Sequence, residues 1–162
     1  MSIKRLLSDY RNGPLVLQSV LSGMTAEQLD VAPVPGKWST RQVICHLADA
    51  ELVYADRFKR IIAEDRPALR GMDPDVFTAE LAYGERDLQI EVDTIEAIRR
   101  HMSGILAATP ESAFQRIGIH SEDGPLTLQT LLERITGHIP HHARTIVAKR
   151  RALGINVEIA GL

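Results

Sequence analysis

The sequence predicts an all-α fold: a four-helix bundle with short extra helical turns in the connections, built as one domain over residues 1–162. Three observations predict it. Four long stretches carry apolar residues at helical spacing, Pro- and Gly-bearing connections separate them, and no stretch shows a persuasive strand alternation. Amphipathic helices of this size bury their apolar stripes best against one another. With 162 residues, 44% of them hydrophobic and 25% charged, the chain can fill one core without a disulfide or a structural metal to hold it.

The first helix covers roughly residues 3 to 23, where Ile3, Leu6, Leu7, Tyr10, Val16, Leu17, Val20 and Leu21 share a face. Gly13-Pro14 interrupts it and predicts a kink or a later start. Thr25 with Gln28 has the spacing of a capping box for a short turn of helix, and Pro33-Val34-Pro35-Gly36 then forces an extended loop. The second long helix starts at Ser39, capped reciprocally by Gln42. It carries Val43, His46, Leu47, Ala50, Val53, Tyr54, Phe58, Ile61 and Ile62 to an end before Pro67.

Residues 68 to 83 read as a connection with a short helical turn near Asp75–Ala79. The third long helix runs from about Glu85 to Ala108, with Pro110 just beyond its end. Gly118 to Pro125 reads as a loop. The fourth helix begins near Thr127 and lines up Leu128, Leu131, Leu132, Ile135, His138, His142, Ile146 and Leu153. Gly154 is its stop, and Lys149, Arg150 and Arg151 complement the negative end of the helix dipole. Residues 155–159 could form a short extended tail.

Charge and cysteine content exclude several classes of function. Nineteen Lys and Arg against 21 Asp and Glu leave a net charge of -2, without the broad positive field of a non-specific nucleic-acid binder. Aromatic residues at 4% provide no stacking platform for single strands, so no nucleic-acid partner is expected. A single Cys rules out a disulfide framework or a Cys-rich zinc site. No apolar run approaches the ~20 residues that span a bilayer, and Met1-Ser2-Ile3-Lys4-Arg5 opens no signal-peptide core. A cytoplasmic protein without a membrane partner is expected.

The six histidines are the informative feature. His138 and His142, four residues apart, lie on one helix face with Leu131, Ile135 and Ile146, so both rings point inward. Inward imidazoles are costly unless each nitrogen finds a partner, and a transition metal satisfies both rings at once. His46, on the apolar stripe of the second helix, supplies a third candidate. Three imidazoles from two helices would form a facial set with open positions for water or substrate. The competing reading is three core histidines satisfied by protein groups. His141 lies off the main stripe, His101 is a core or rim residue, and His120 sits in a loop.

Two segments resemble the DinB/YfiT-like superfamily. One is Pro35-Gly36-Lys37-Trp38-Ser39, then Gln42, then His46-Leu47-Ala48-Asp49-Ala50-Glu51. The other is Gly124-Pro125-Leu126-Thr127-Leu128, then His138 and His141-His142-Ala143-Arg144-Thr145-Ile146. Arg57, Gly71-Met72-Asp73 and Gly118 extend the likeness over essentially the whole chain. The resemblance implies a four-helix bundle of the DinB/YfiT-like type with His46, His138 and His142 as metal ligands. It also implies either a metal-dependent hydrolase or a transferase or isomerase that uses a low-molecular-weight thiol. Pro140, between the last two ligands and near Gly137, departs from a regular helix and could alter how the rings aim.

Three imidazoles without a carboxylate suit Zn²⁺ or Ni²⁺, with Fe²⁺, Mn²⁺ and Co²⁺ also compatible. Asp49 is a candidate to orient an imidazole or take a proton, His120 to line the mouth of the site, and Arg144 to bind an anionic substrate. Glu51 reads as the partner of an arginine, Cys45 as a small buried hydrophobe, and Trp38 as a packing residue at the helix start. A small-molecule substrate and a homodimer are the expected partners. The alternative to an enzyme is a non-catalytic metal-binding stress-response bundle acting through partner association.

Overall fold

A computed structural model describes residues 2–155. Its long helices are α1 (Ile3–Leu21), α3 (Thr40–Ala63), α5 (Leu88–Ala108) and α6 (Leu128–Ala152), with the short α2 (Ala26–Asp30), α4 (Pro74–Glu80) and a 3-10 turn (Glu111–Gln115) in the connections. The four-helix bundle with extra turns is therefore as the sequence predicts. The capping boxes Thr25/Gln28 and Ser39/Gln42 both form. The α5 start moves to Leu88 because the Asp87 side chain accepts from the N–H groups of Gln89 and Ile90. Gly154 ends α6 with φ +72, as its placement required. The tail at 155–159 falls almost wholly outside the described residues. Among those that are described, no helix is long and apolar enough to cross a membrane.

A small sheet was not legible in the sequence. Strands β1 (Ala68–Leu69), β2 (Ile117–His120) and β3 (Gly124–Thr127) lie in that order, β1 parallel and β3 antiparallel to β2. The expected loop at 118–125 is thus a hairpin. Its strands are two to four residues long, too short for alternation to emerge from a sequence window. Gly118 is required here: a Cβ would lie 2.6 Å from the Leu69 side chain and 3.1 Å from Ile61, so only glycine lets the hairpin close on α3.

The helices form a ring in the order α1, α6, α3, α5. Their core falls into two clusters. One holds Leu6, Phe58, Met102 and Leu131, and the other Leu17, Ile44, Ile95 and Ile146. Reading each helix through these clusters, α1 runs parallel to α6, and α3 parallel to α5 in the opposite sense. Both apolar clusters stabilise the fold by roughly 25 cal/mol for each Å² withdrawn from water.

Between the clusters lies a buried polar knot. Arg99 of α5, 1% exposed, donates from Nε (2.8 Å) and Nη2 (2.6 Å) to Glu51 Oε1 of α3, which is fully buried. It also donates to the carbonyls of Tyr10 in α1 and Ile135 in α6, both at 2.8 Å. One guanidinium therefore joins all four helices. Gly13-Pro14 makes room for it without breaking α1. Pro14 has no N–H to give the Tyr10 carbonyl, leaving that oxygen for Arg99. A Cβ on Gly13 would stand 2.0 Å from Arg99 Nη1. Burial drives the Glu51 carboxyl upward in pKa, and Arg99 opposes the shift.

Glu51→Gln leaves the Arg99 charge buried without its counter-charge. A loss of about 3–5 kcal/mol in urea unfolding is expected, the cost of breaking a buried pair on one side. Stability within about 0.5 kcal/mol of the parent, typical of a surface change, would show that the pair does not hold the bundle.

Candidate metal centre

The helix α3 brings His46 inward about two turns after its Ser39 cap, beside Val43 and Leu47, and α6 presents His138 and His142 one turn apart. The three rings meet. His138 Nε2 lies 3.1 Å from His46 Nε2 and 3.1 Å from His142 Nε2, and one nitrogen from each ring falls within 4.8 Å of the others. Pro140 leaves α6 continuous and the two rings of its pair converging. The Trp38 ring leans on His46 with centroids 5.1 Å apart, so the residue read as packing also holds an imidazole in place.

Hydrogen bonding within the protein does not account for this cluster. A ring nitrogen has one proton or one lone pair, yet His138 Nε2 faces two neighbours at bonding distance. The Nδ1 atoms of His46 and His138 are buried without a partner. The reading of three satisfied core histidines therefore fails on these two rings. A metal fits better: two nitrogens at about 2.1 Å from one ion, with bond angles from square to tetrahedral, stand about 3.0–3.4 Å apart. The rings are also held neutral, as ligands must be. Burial first, then the mutual repulsion that protonated neighbouring histidines would exert, pulls His138 and His142 from 6.5 to about 3. Burial lowers His46 as well, against the pull of Asp49. Among the described residues the group able to hold an ion contains only these three histidines, with no carboxylate or thiolate closing the set.

The other candidates are sorted by their surroundings. Asp49 is buried, but its oxygens accept from Tyr83 Oη (2.7 Å) and from Arg86 Nη1 (2.9 Å) and Nη2 (3.2 Å). That carboxylate holds the 81–86 turn against α3 and makes no hydrogen bond to an imidazole. Glu51 is committed to Arg99, and Cys45 is fully buried with its thiol pushed up to about 11 by burial. His101 and His141 are exposed, and neither belongs to the converging set.

His120 does reach the site. The hairpin tip folds around it, and its Nδ1 accepts from the N–H groups of Glu122 and Asp123, both at 3.3 Å. The neutral ring thus carries its proton on Nε2. His120 lines a cleft of about 690 Å³ together with His46, His138, Arg57, Arg134 and Arg144. Arg57 is buried, gives Nη2 to the Arg70 carbonyl, and has no partner for Nε. Arg134 pairs with Asp123, whereas exposed Arg144 enters no ion pair among the described residues. The sequence reading named His120 and Arg144 and missed Arg57 as a lining residue. It sits on the apolar face of α3, in helical register with Val53, Tyr54 and Ile61, which was the available signal.

The chain is similar to several known proteins along most of its length. A protein of Bacillus licheniformis named "Putative metal-dependent hydrolase" is 24% identical over 155 residues, covering 95% of this chain and 88% of its own. The Bacillus subtilis protein YfiT, given the same description, is 27% identical over 142 residues, covering 87% and 80%. The structure of YfiT, described as having an unusual four-helix bundle topology, superposes with a TM-score of 0.90 at 24% identity, over 96% of this chain and 91% of that one. A mycothiol-dependent maleylpyruvate isomerase shares the fold with a TM-score of 0.72 at 14% identity, over 90% of this chain and 61% of its own. The family model of the DinB superfamily matches residues 11–146, and the chain belongs to that superfamily.

Proposed function

We propose that this chain is a metal-dependent enzyme in which Nε2 of His46, His138 and His142 would hold one divalent ion, Zn²⁺ or Ni²⁺ by donor type, and which hydrolyses a small anionic substrate. The convergence of one buried and two half-buried imidazoles, with no fourth protein ligand among the described residues, carries this reading. Such an ion, when bound, supplies Lewis acidity at its open positions and can bring the pKa of water from 15.7 to about 7. The remaining work falls to this chain's own groups. Arg57 and Arg144 put positive charge on the cleft wall, where an anionic substrate is oriented. His120, locked by two backbone N–H groups, offers its Nε2 proton to a leaving group or developing oxyanion. Trp38 keeps the His46 ring from turning.

A thiol-dependent transfer is the second reading. It is favoured by two cavities at the centre, one beside His46 and His138 and another beside His142, which would suit two substrates. The shared fold with a mycothiol-dependent isomerase is compatible with it. The Zn²⁺- or Ni²⁺-loaded protein, assayed on a panel of small anionic esters and amides with and without added thiol, tests both. Turnover without thiol that a chelator abolishes, and that falls about 10²–10⁴-fold in His120→Ala, supports hydrolysis. Turnover only with thiol supports transfer, and no turnover in either series contradicts the enzyme reading.

The metal-free chain should be acid-sensitive. Unfolded, His138 and His142 take up protons below about 6.5, while the folded chain resists until about 3. Protons thus favour the unfolded state, and stability is lost as pH falls from about 6.5 toward 3. Thermal unfolding between pH 7 and 4 should show a steep fall in midpoint that His138→Ala flattens. Equal slopes in the two proteins would contradict the burial of a neutral ring.

A further inference from the structure

The inner face of α6 continues past the histidines. His142, Ile146, Lys149 and Leu153 follow at helical spacing, which puts Lys149 two turns beyond His142, about 10 Å along the axis. The sequence reading took Lys149 with Arg150 and Arg151 as a complement to the helix dipole. All three do lie in the last turn of α6, and two of them do more. Arg150 Nη1 donates to the carbonyls of Val20 (3.0 Å) and Ser22 (2.8 Å) at the end of α1. Lys149 is 4% exposed, and no carboxylate or carbonyl pairs with its ammonium among the described residues.

What little of Lys149 stays open lies on a cavity, and an ammonium with so little water around it gains from meeting an anion. Burial, reinforced by the like charge of Lys37, brings Lys149 down to about 8, which still leaves it a cation at neutral pH. It faces a cavity of about 460 Å³ whose walls include Trp38, Val43, Ala148 and His142, with Lys37 at its exposed side. Asp75, also exposed on the rim, forms no ion pair with Lys149. Apart from His141, no residue is shared with the lining of the polar cleft. A small volume, apolar walls and one buried cation define a site for an anion with a hydrocarbon body.

We propose that this cavity is a carboxylate-binding subsite: an amphipathic monocarboxylate sets its acid group on Lys149, its hydrocarbon body against Trp38 and Val43, and its far end beside His142. This names a substrate class for the centre proposed above and rests on that reading for the chemistry at the far end, but not for the binding itself. The body must span from Lys149 back toward His142, so a chain of several carbons fits and acetate does not.

Trp38 is the protein's one tryptophan, so its emission reports occupancy of the cavity. Octanoate titrated into the purified protein should change that emission saturably. Octanamide, with the same hydrocarbon and no charge, should bind at least about tenfold more weakly, and so should octanoate to Lys149→Met, since each loses a desolvated charge pair. Lys149→Met should keep the helical circular dichroism and the metal content of the parent. His138 does not line the cavity, so His138→Ala should bind octanoate as the parent does. No saturable change, equal affinity for octanamide, or undiminished octanoate affinity in Lys149→Met overturns the proposal. The last result is also the one expected if octanoate bound the metal instead. Absence of metal from the protein would overturn the enzyme reading while leaving the octanoate titration intact, so the two fail separately.

Discussion

The bundle depends on one buried guanidinium. Arg99 reaches across from α5 to a carboxylate on α3 and to backbone carbonyls on α1 and α6, at the level where the two apolar clusters part. Apolar packing alone tolerates sliding of one helix along another. Directional bonds to a fixed carbonyl do not, because a slipped register would strand a charge in a low-dielectric core. Such a pair adds little net stability over a well-packed apolar substitute, and its contribution here is register. Glu51 lies five residues after His46 on α3, and Ile135 three residues before His138 on α6. The contacts that lock Arg99 therefore also set the height at which the imidazoles of α3 and α6 face one another.

That register brings the three rings together so that His138 Nε2 has more neighbours than one hydrogen bond can serve. The surroundings divide by chemistry. On the side of His46 and His138 the hairpin delivers His120 and the helices deliver arginines. On the side of His142 an apolar cavity ends at Lys149. Each side therefore offers cationic groups of its own, Arg57 and Arg144 on one and Lys149 on the other, beside acidic groups at the rims.

Much of this was legible in the residues. The helical stripes, both capping boxes, the Gly154 stop and the inward placement of His46, His138 and His142 follow from spacing and local chemistry. What escaped needed tertiary contact to acquire meaning. Gly13-Pro14 read as a helix break because sequence alone cannot show that a distant Arg99 takes up the freed carbonyl. The sheet escaped because IGIH is too short to declare a period, and its inward glycine matters only against Leu69 and Ile61. Asp49 looked like a partner for His46 one turn away, but Tyr83 and Arg86, brought in by the 81–86 turn, claim it first. Lys149 stood on the stripe all along, hidden by two neighbouring cations that suggested a simpler role.

The most direct test is metal content by elemental mass spectrometry on untagged protein purified without chelator, beside His46→Ala and His138→Ala. The account predicts about one equivalent of a divalent transition metal in the parent, as three ligands from two helices can hold one ion, and its loss in both variants while the helical circular dichroism persists. A parent that contains no metal and takes up neither Zn²⁺ nor Ni²⁺ would contradict it, as would a metal retained in full when His46 is removed.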